Sequence, residues 1–379
     1  MIVTKSNAFD FHKETLFVKK VFVCALLFLT ILLTFGELYP RKSQKIDLST
    51  GAGISKMLRY DDAQVYLFGE THRCTEYQQF RNVLFKYLVK EKGVRVLVEE
   101  AGYATTFLEN ETVQGRLSFS DWLDRCTSSK EDYELYQWIA DWNSGREDAD
   151  KISIIGIDIT DNIGNMQMLC QYLLKTCNFT GADVQTQRLL TAIRKQNPFS
   201  SLQLQTFQDE FLPQLIELYQ TKPEQLENVL GTQAMHLERA LLGWQEALEQ
   251  QRLRGKAEQL GDSDDVYREN CLYENFMREY QERPDTKYYG EFGAAHVLMS
   301  DYSGKIYRVQ NSFVTRLAEE GSPLNGKLTV IDGGLTFEIG DLGESDTNKV
   351  TLYNTASAKP PVQDMNKFYM DGFAQDASY

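Results

Sequence analysis

The sequence predicts an α/β fold: a mainly parallel sheet flanked by helices, with a helical insertion capping the C-terminal edge of the strands. Three observations carry this. Short β-rich runs alternate with helical patterns, and parallel neighbours need a long connection, usually a helix. Four of the runs close on an acid or an imidazole. Between Asp161 and Asp265 strand signals vanish and long helical patterns take over.

Taken in order, the chain opens on a leader. Lys13, Lys19 and Lys20 precede VFVCALLFLTILLTF, an uncharged apolar run from Val21 to Phe35. The run is short for a membrane span of ~20 residues and suits a signal-peptide core. Residues 1–36 are therefore expected to be a signal peptide or a retained transmembrane anchor, with the remainder extracytoplasmic, either held at the membrane or secreted or periplasmic. Residues 37–56 are polar and read as a linker, and residues 57–379 as one α/β domain. AQVYLFG is its first strand. TEYQQFRNVLFKYLVKEKG then sets Phe80, Val83, Leu84, Tyr87 and Leu88 on one helical face, with Gly93 as the stop. VRVLVEE is the second strand. In SSKEDYELYQWIADWNSG, Leu135, Trp138, Ile139 and Trp142 recur at helical spacing. KISIIGID is the third strand, the helical insertion covers about 161–264, and TKYYGEFGAAH supplies the fourth strand. KLTVIDGG and KVTLYN follow as later strands of the same sheet or its edge.

The 379 residues are 42% hydrophobic, enough for a substantial core. A net charge of −14 argues against nucleic acid and against an anionic lipid surface, since the summed field repels both. The expected partner is a small-molecule substrate, with membrane contact only through the N-terminal segment if it is uncleaved. Beyond the leader, Cys74, Cys126, Cys170, Cys177 and Cys271 lack paired C-x-x-C spacing and read as neither a zinc knuckle nor a disulfide framework.

The polar residues gather at the predicted strand ends. The first strand ends in Gly69-Glu70-Thr71-His72, the second in Glu99-Glu100, the third in Gly156-Ile157-Asp158 and the fourth in Gly293-Ala294-Ala295-His296. In an open parallel sheet this edge is where ligands bind, because loops and helix N-termini converge there. Each residue also has a structural reading. Glu76 and Glu100 suit the first turn of a helix, Asp158 suits a helix cap, and His236 sits amid apolar residues. His72 and His296 differ, because both close a Gly-x-x-His turn directly after a strand. In DDVYRENCLYENFMREYQ, Arg268, Cys271, Leu272 and Asn275 share a helical face. Arginine and asparagine buried there need partners, and a strand-end carboxylate, Glu70, Glu99 or Glu100, is the one expected to receive the Arg268 fork.

With these segments in hand, the chain resembles the erythromycin esterase-like group of hydrolases. The resemblance rests on GETH at Gly69 to His72 with Glu76 after it, VEEAG at Val98 to Gly102, and WN at Trp142-Asn143. It continues with GID at Gly156 to Asp158, RENCLYEN at Arg268 to Asn275, and GAAHV at Gly293 to Val297. The broader superfamily includes Tiki/TraB-type membrane proteases and ChaN-like haem-binding lipoproteins. One motif departs: the family's second histidine motif usually holds a further histidine and an asparagine, where this chain has EFGAAH.

The resemblance implies metal-independent attack by water on an ester or amide. His72, His296, Glu70, Glu100 and Arg268 are then the catalytic set, and Glu76, Asn143, Asp158 and Asn275 the substrate-binding set. The residue types agree. Imidazole titrates near neutral pH, so His72 can accept a proton from water while Glu70 or Glu100 orients the ring. Arg268 and His296 can stabilise an oxyanion. No cofactor is expected. The alternatives that remain open are a divalent metal such as zinc or manganese held by His72, His296 and Glu70, and a surface protein that binds haem or a metal without catalysis.

Overall fold

The computed structural model describes residues 43–72, 74–122, 129–159, 162–260, 266–299, 302–303, 308–309, 311–333, 349–354 and 368–371. The leader, with its Val21–Phe35 run, and Cys126 lie outside the described residues. Among the described residues no helix is long and apolar enough to cross a membrane.

The expected alternation of strands and helices is present. The elements are β1 (Ser43–Asp47), α1 (Ile54–Leu58), β2 (Val65–Glu70), α2 (Thr75–Tyr87), β3 (Val94–Gly102), α3 (Tyr103–Val113), α4 (Lys130–Asn143) and β4 (Ser153–Asp158). The insertion follows as α5 (Ile163–Leu174), α6 (Val184–Arg194), α7 (Ser201–Thr206), α8 (Leu212–Thr221), α9 (Pro223–Leu230) and α10 (Ala234–Leu260). After it come α11 (Val266–Glu282), β5 (Lys287–Gly293), α12 (Ala294–Val297), β6 (Tyr302–Ser303), β7 (Arg308–Val309), α13 (Phe313–Leu317), β8 (Leu328–Asp332), β9 (Lys349–Asn354) and β10 (Phe368–Asp371).

The main sheet runs β1-β9-β10-β8-β2-β5-β3-β4. From β10 through β8, β2, β5 and β3 to β4 every pairing is parallel, and β9 and β1 add an antiparallel edge. One expectation is corrected here. Part of the stretch read as a linker, 37–56, is ordered structure: β1 pairs with β9, from Ser43 opposite Tyr353 to Asp47 opposite Lys349. Its Gln44 and Lys45 give it no apolar alternation, so its place depends on a partner strand some three hundred residues away.

VYLFG reads as a continuous apolar run because β2 is covered on both faces. Val65 and Leu67 face Leu272, Phe276 and Phe313 from α11 and α13, while Tyr66 and Phe68 face Phe80, Leu84 and Phe85 from α2. Side chains alternate across a strand, so one short run feeds two cores. Local signals set the helix starts: Ser129 accepts from the Asp132 amide at α4, Asn162 from Gly164 at α5 and Asp183 from Thr186 at α6. Each of these caps satisfies an amide that the first turn leaves without an intrahelical partner.

Phe68 is fully buried, with ring centroids 5.3 Å from Phe80 and 6.0 Å from Tyr77. Phe68→Ala should cost about 3–5 kcal/mol in a denaturant titration. Leu202→Ala, at a site 77% exposed, should stay within about 0.5 kcal/mol of wild type.

Candidate active site

The parallel register brings the predicted strand ends side by side. Glu70 of β2 lies opposite Gly293 of β5, Glu99 of β3 lies opposite Glu291 of β5, and Gly102 lies opposite Asp158 of β4. Chemistry scattered over more than two hundred residues of sequence thereby collects along one edge.

His72 follows β2 by two residues, and its side chain is 63% exposed. Its Nδ1 lies 2.7 Å from Glu70 Oε1, and its Nε2 is 3.9 Å from Glu100 Oε2. The bond to Glu70 raises the imidazole pKa; partial burial opposes this, and the Glu100 charge adds to it. The approach depends on a glycine. A Cβ at Gly293 would sit 3.0 Å from His72 Nε2, so any larger residue there pushes the ring away.

His296, on α12, is buried behind this edge. Its Nδ1 bonds Glu269, and its Nε2 lies 3.3 Å from Glu100 Oε1 and 3.1 Å from Arg268 Nη1. The ring therefore has two possible states: neutral and accepting from Arg268, or charged and donating to Glu100. The charge count decides for the second, since Glu100, Glu269 and Asp158 surround a single guanidinium. Burial alone would lower the His296 pKa, but the bonds to Glu100 and Glu269 and their charges raise it to about 10. Burial likewise opposes ionisation of Glu100, yet His296, Arg268 and the Gly293 amide, which donates at 2.6 Å, hold it well below the usual carboxylate range.

Arg268 reaches back from α11. Its Nε donates to Asp158 Oδ1 at 2.9 Å, and its Nη2 donates at 2.6 Å both to Asp158 Oδ2 and to Glu100 Oε1. The expected fork is present but falls on Asp158, not on Glu70, Glu99 or Glu100, because Asp158 ends β4, the strand that α11 packs against. Glu100 takes a single prong. Burial works against the arginine's charge, but Asp158 and then Glu100 outweigh it and keep the guanidinium protonated.

Beside this cluster lies a cavity of about 550 Å³ lined by His72, Glu100, Asp158 and Arg268 on the sheet side. Gln250 and Arg254 of α10 line it from the insertion, which thus caps the C-terminal strand edge as expected.

The remaining expectations divide. Asp158 lines the cavity, but both its oxygens are engaged by Arg268, so it positions the arginine. Asn275 donates to the Ile157 carbonyl at 3.0 Å and accepts from Arg278, locking α11 to β4. Asn143 is far from the strand ends that form the site. It clamps the entry to β4, accepting from the Ile152 amide at 2.7 Å and donating to the Ile152 and Val113 carbonyls. Glu76 stands in the first turn of α2 and accepts from the Cys74 thiol, the helix-start role that competed with binding. Cys74, Cys170, Cys177 and Cys271 are free thiols. His236 bonds the Tyr103 hydroxyl at 2.7 Å and stays neutral as burial lowers its pKa.

Two groups of residues were missed. Glu269, fully buried, orients His296 and also accepts from the Phe313 amide at 2.8 Å. The only signal in the sequence was its place beside Arg268. On the opposite face of the sheet, Arg81 joins Glu291 at 3.2 Å and Asp132 at 2.8 Å, while the Tyr136 hydroxyl donates to Glu99. Burial and the neighbouring Glu99 charge push Glu109 well above the carboxylate range, and burial pushes Glu291 up to about 8.

A metal shared by His72, His296 and Glu70 does not suit this donor set. His296 turns one nitrogen to Glu269 and the other toward Glu100 and the Arg268 guanidinium, a fixed cation where a metal would stand. Among the described residues no group of three or more His, Cys, Asp or Glu side chains is arranged to hold a metal ion.

No protein-family model matches the chain, and no curated protein matches it. Solved structures do. A mutant of the erythromycin esterase EreC in its open conformation aligns over 77% of this chain and 76% of its own, at 14% identity and a TM-score of 0.52. This chain has the fold of an erythromycin esterase. The same fold is shared with a Bacillus cereus protein, at 17% identity over 87% of this chain and 92% of that one, TM-score 0.53. A succinoglycan biosynthesis protein aligns over 87% and 93%, at 14% identity and TM-score 0.56. The erythromycin esterase-like resemblance carried by the motifs is thus matched in the fold.

Two outcomes test the cluster. Arg268→Ala should cost about 3–5 kcal/mol, since it leaves buried Asp158 and Glu100 without their cation, and chemical denaturation measures it. The raised pKa of His296 means that its stabilisation is fully present below about 6.5 and is lost as the pH climbs through about 10. The difference in melting temperature between wild type and His296→Gln should therefore narrow steadily from pH 6 to pH 10.

Proposed function

We propose that this protein is a hydrolase that cleaves an ester or amide bond in a small molecule, exported or membrane-anchored through its N-terminal segment. The observation that carries the reading is the pairing of His72 with Glu70. A carboxylate at Nδ1 fixes the tautomer, leaving the Nε2 lone pair turned toward the cavity. This arrangement suits a general base poised near neutral pH.

The reaction follows from the geometry. Water in the cavity gives a proton to His72 Nε2 as its oxygen attacks the carbonyl carbon. Glu70 stabilises the imidazolium that forms. Negative charge growing on the carbonyl oxygen falls in the field of Arg268, which Asp158 and Glu100 hold rigidly at the cavity wall. When the bond to the leaving group breaks, His72 returns its proton to the departing alkoxide or amine, releasing an acid and an alcohol or amine. His296 does not line the cavity; it acts through Glu100 and Arg268, as a positioning residue.

A panel of activated esters and amides tests the proposal. His72→Ala should abolish turnover with the melting temperature within a few degrees of wild type, and full activity in that variant would end the reading. The pH profile adds a finer check. Because Glu70 raises the His72 pKa, kcat/KM should rise through an inflection above 6.5, and Glu70→Gln should move that inflection to lower pH.

A further inference from the structure

A second recess lies in the helical insertion, where α8, α9 and the start of α10 meet. It holds about 480 Å³, and no described residue lines both it and the His72 cavity. Its floor is apolar: Leu226 and Leu237 are each only 3% exposed. At its rim stands Met235 of α10, left 41% exposed. A recess of this size that is apolar within and carries a few placed polar groups is the usual form of a small-molecule site.

The polar groups of this recess are acidic. Glu227 of α9 and Glu238 of α10 are the only charged side chains among the described residues that line it. Glu238 accepts from the Tyr219 hydroxyl at 2.7 Å; burial and that carboxylate push the phenol up to about 12, so it keeps its proton and remains the donor. The basic residues nearby in sequence are engaged elsewhere, Lys222 with Asp183 at 3.1 Å and Arg239 with Glu279 and Glu282. Among the described residues neither Glu227 nor Glu238 has an ion pair with a lysine or arginine. The C-terminal end of α9 and the N-terminal end of α10 both abut the recess, so their opposite dipoles offset one another and the side chains set the local charge.

We propose that this recess is a second ligand site, for a small apolar molecule carrying one ammonium group. The apolar body lies on Leu226, Leu237 and Met235, with the ammonium beside Glu227 and Glu238. Covering Met235 removes apolar area from water, and the cation gives the two carboxylates a charged partner. Other occupants fit less well. A fatty-acid-like anion meets two carboxylates of its own sign, and a neutral apolar molecule desolvates them without a partner. A second copy of the chain brings a further −14 of charge to an acidic surface, whereas the same field concentrates small cations. The proposal does not rest on the hydrolytic reading.

Octylammonium, 1-octanol and octanoate share one chain and differ in charge, so they separate these cases. Calorimetric titration at neutral pH should show one octylammonium bound per chain, about tenfold more tightly than octanol, the worth of one charge-assisted hydrogen bond. Octanoate should not bind. In the double variant Glu227→Gln, Glu238→Gln the advantage of octylammonium over octanol should disappear. Glutamine keeps an acceptor for Tyr219 and both positions are exposed, so the packing stays intact, and circular dichroism checks this. Met235→Ala should weaken octylammonium and octanol alike, through lost apolar contact.

Two controls fix the place and the chemistry. His72→Ala should bind octylammonium as wild type does, which separates this recess from the cavity at the sheet edge, whose wall also carries carboxylates. Ethylammonium, with the same head group and little chain, should bind far more weakly than octylammonium. Failure of octylammonium to bind wild type would overturn the proposal, and loss of binding in His72→Ala would assign the ligand to the other cavity instead. Unchanged affinity in the double variant, or ethylammonium matching octylammonium, would reduce the effect to a general attraction of cations to an acidic surface. Octanoate binding as tightly as octylammonium would show an apolar groove without charge selection, and would equally overturn it.

Discussion

The site depends on one largely buried guanidinium. Arg268 ties the ends of β3 and β4 to α11, and through Glu100 and His296 it also ties in the end of β5. Desolvating such a group costs several kcal/mol, which only well-aligned carboxylates offset. Asp158 supplies that alignment with two parallel bonds, and Glu100 and His296 complete a closed set in which each charge faces an opposite one. The geometry at the strand ends is therefore specified by electrostatics at least as firmly as by the apolar layers beneath it.

His72 stands outside this set. Its hydrogen bond is to Glu70, with Glu100 3.9 Å from its other nitrogen, and it remains largely exposed. The contrast between the two histidines comes from their surroundings. His296 has carboxylates hydrogen-bonded at both nitrogens and is buried, so it stays charged; His72 is hydrogen-bonded to one carboxylate, stands further from the second and has an open side. The same Gly-x-x-His pattern thus gives a buried cation in one place and an accessible imidazole in the other.

Much of this could be read in the sequence, for local reasons. The apolar runs stop at Gly69, Gly156 and Gly293, and the polar residues that follow mark the sheet edge whatever the strand order. The helical face carrying Arg268 showed in its periodicity. What could not be read was pairing at long range. Nothing in DDVYRENCLYENF says that Arg268 will meet Asp158 and not Glu100 first, or that Glu269 will be the fully buried partner of His296, because a glutamate in a polar helix reads as solvated. Asn143 looked functional beside Trp142 as part of a motif, yet its amide serves the backbone at the start of β4. The edge strand β1 was hidden for the same reason, since its order comes from β9 and not from its own composition.

Glu99 and Glu100 are neighbours in the chain that live in opposite environments. Glu100 is ionised among cations on one face of the sheet, while burial raises the pKa of Glu99 beside Glu109 on the other. Adjacent residues of a strand point to opposite faces, so sliding β3 by a single position would turn every side chain to the other face. A slip one way brings Ala101 to Arg268 in place of Glu100, and a slip the other way brings Val98 to Tyr136 in place of Glu99. Either error leaves a buried polar group without its partner. The two-glutamate step, bounded by Val98 and Ala101, therefore works as an alignment key for β3: a threading error in either direction is penalised by a stranded polar group, independently of how well the valines happen to pack.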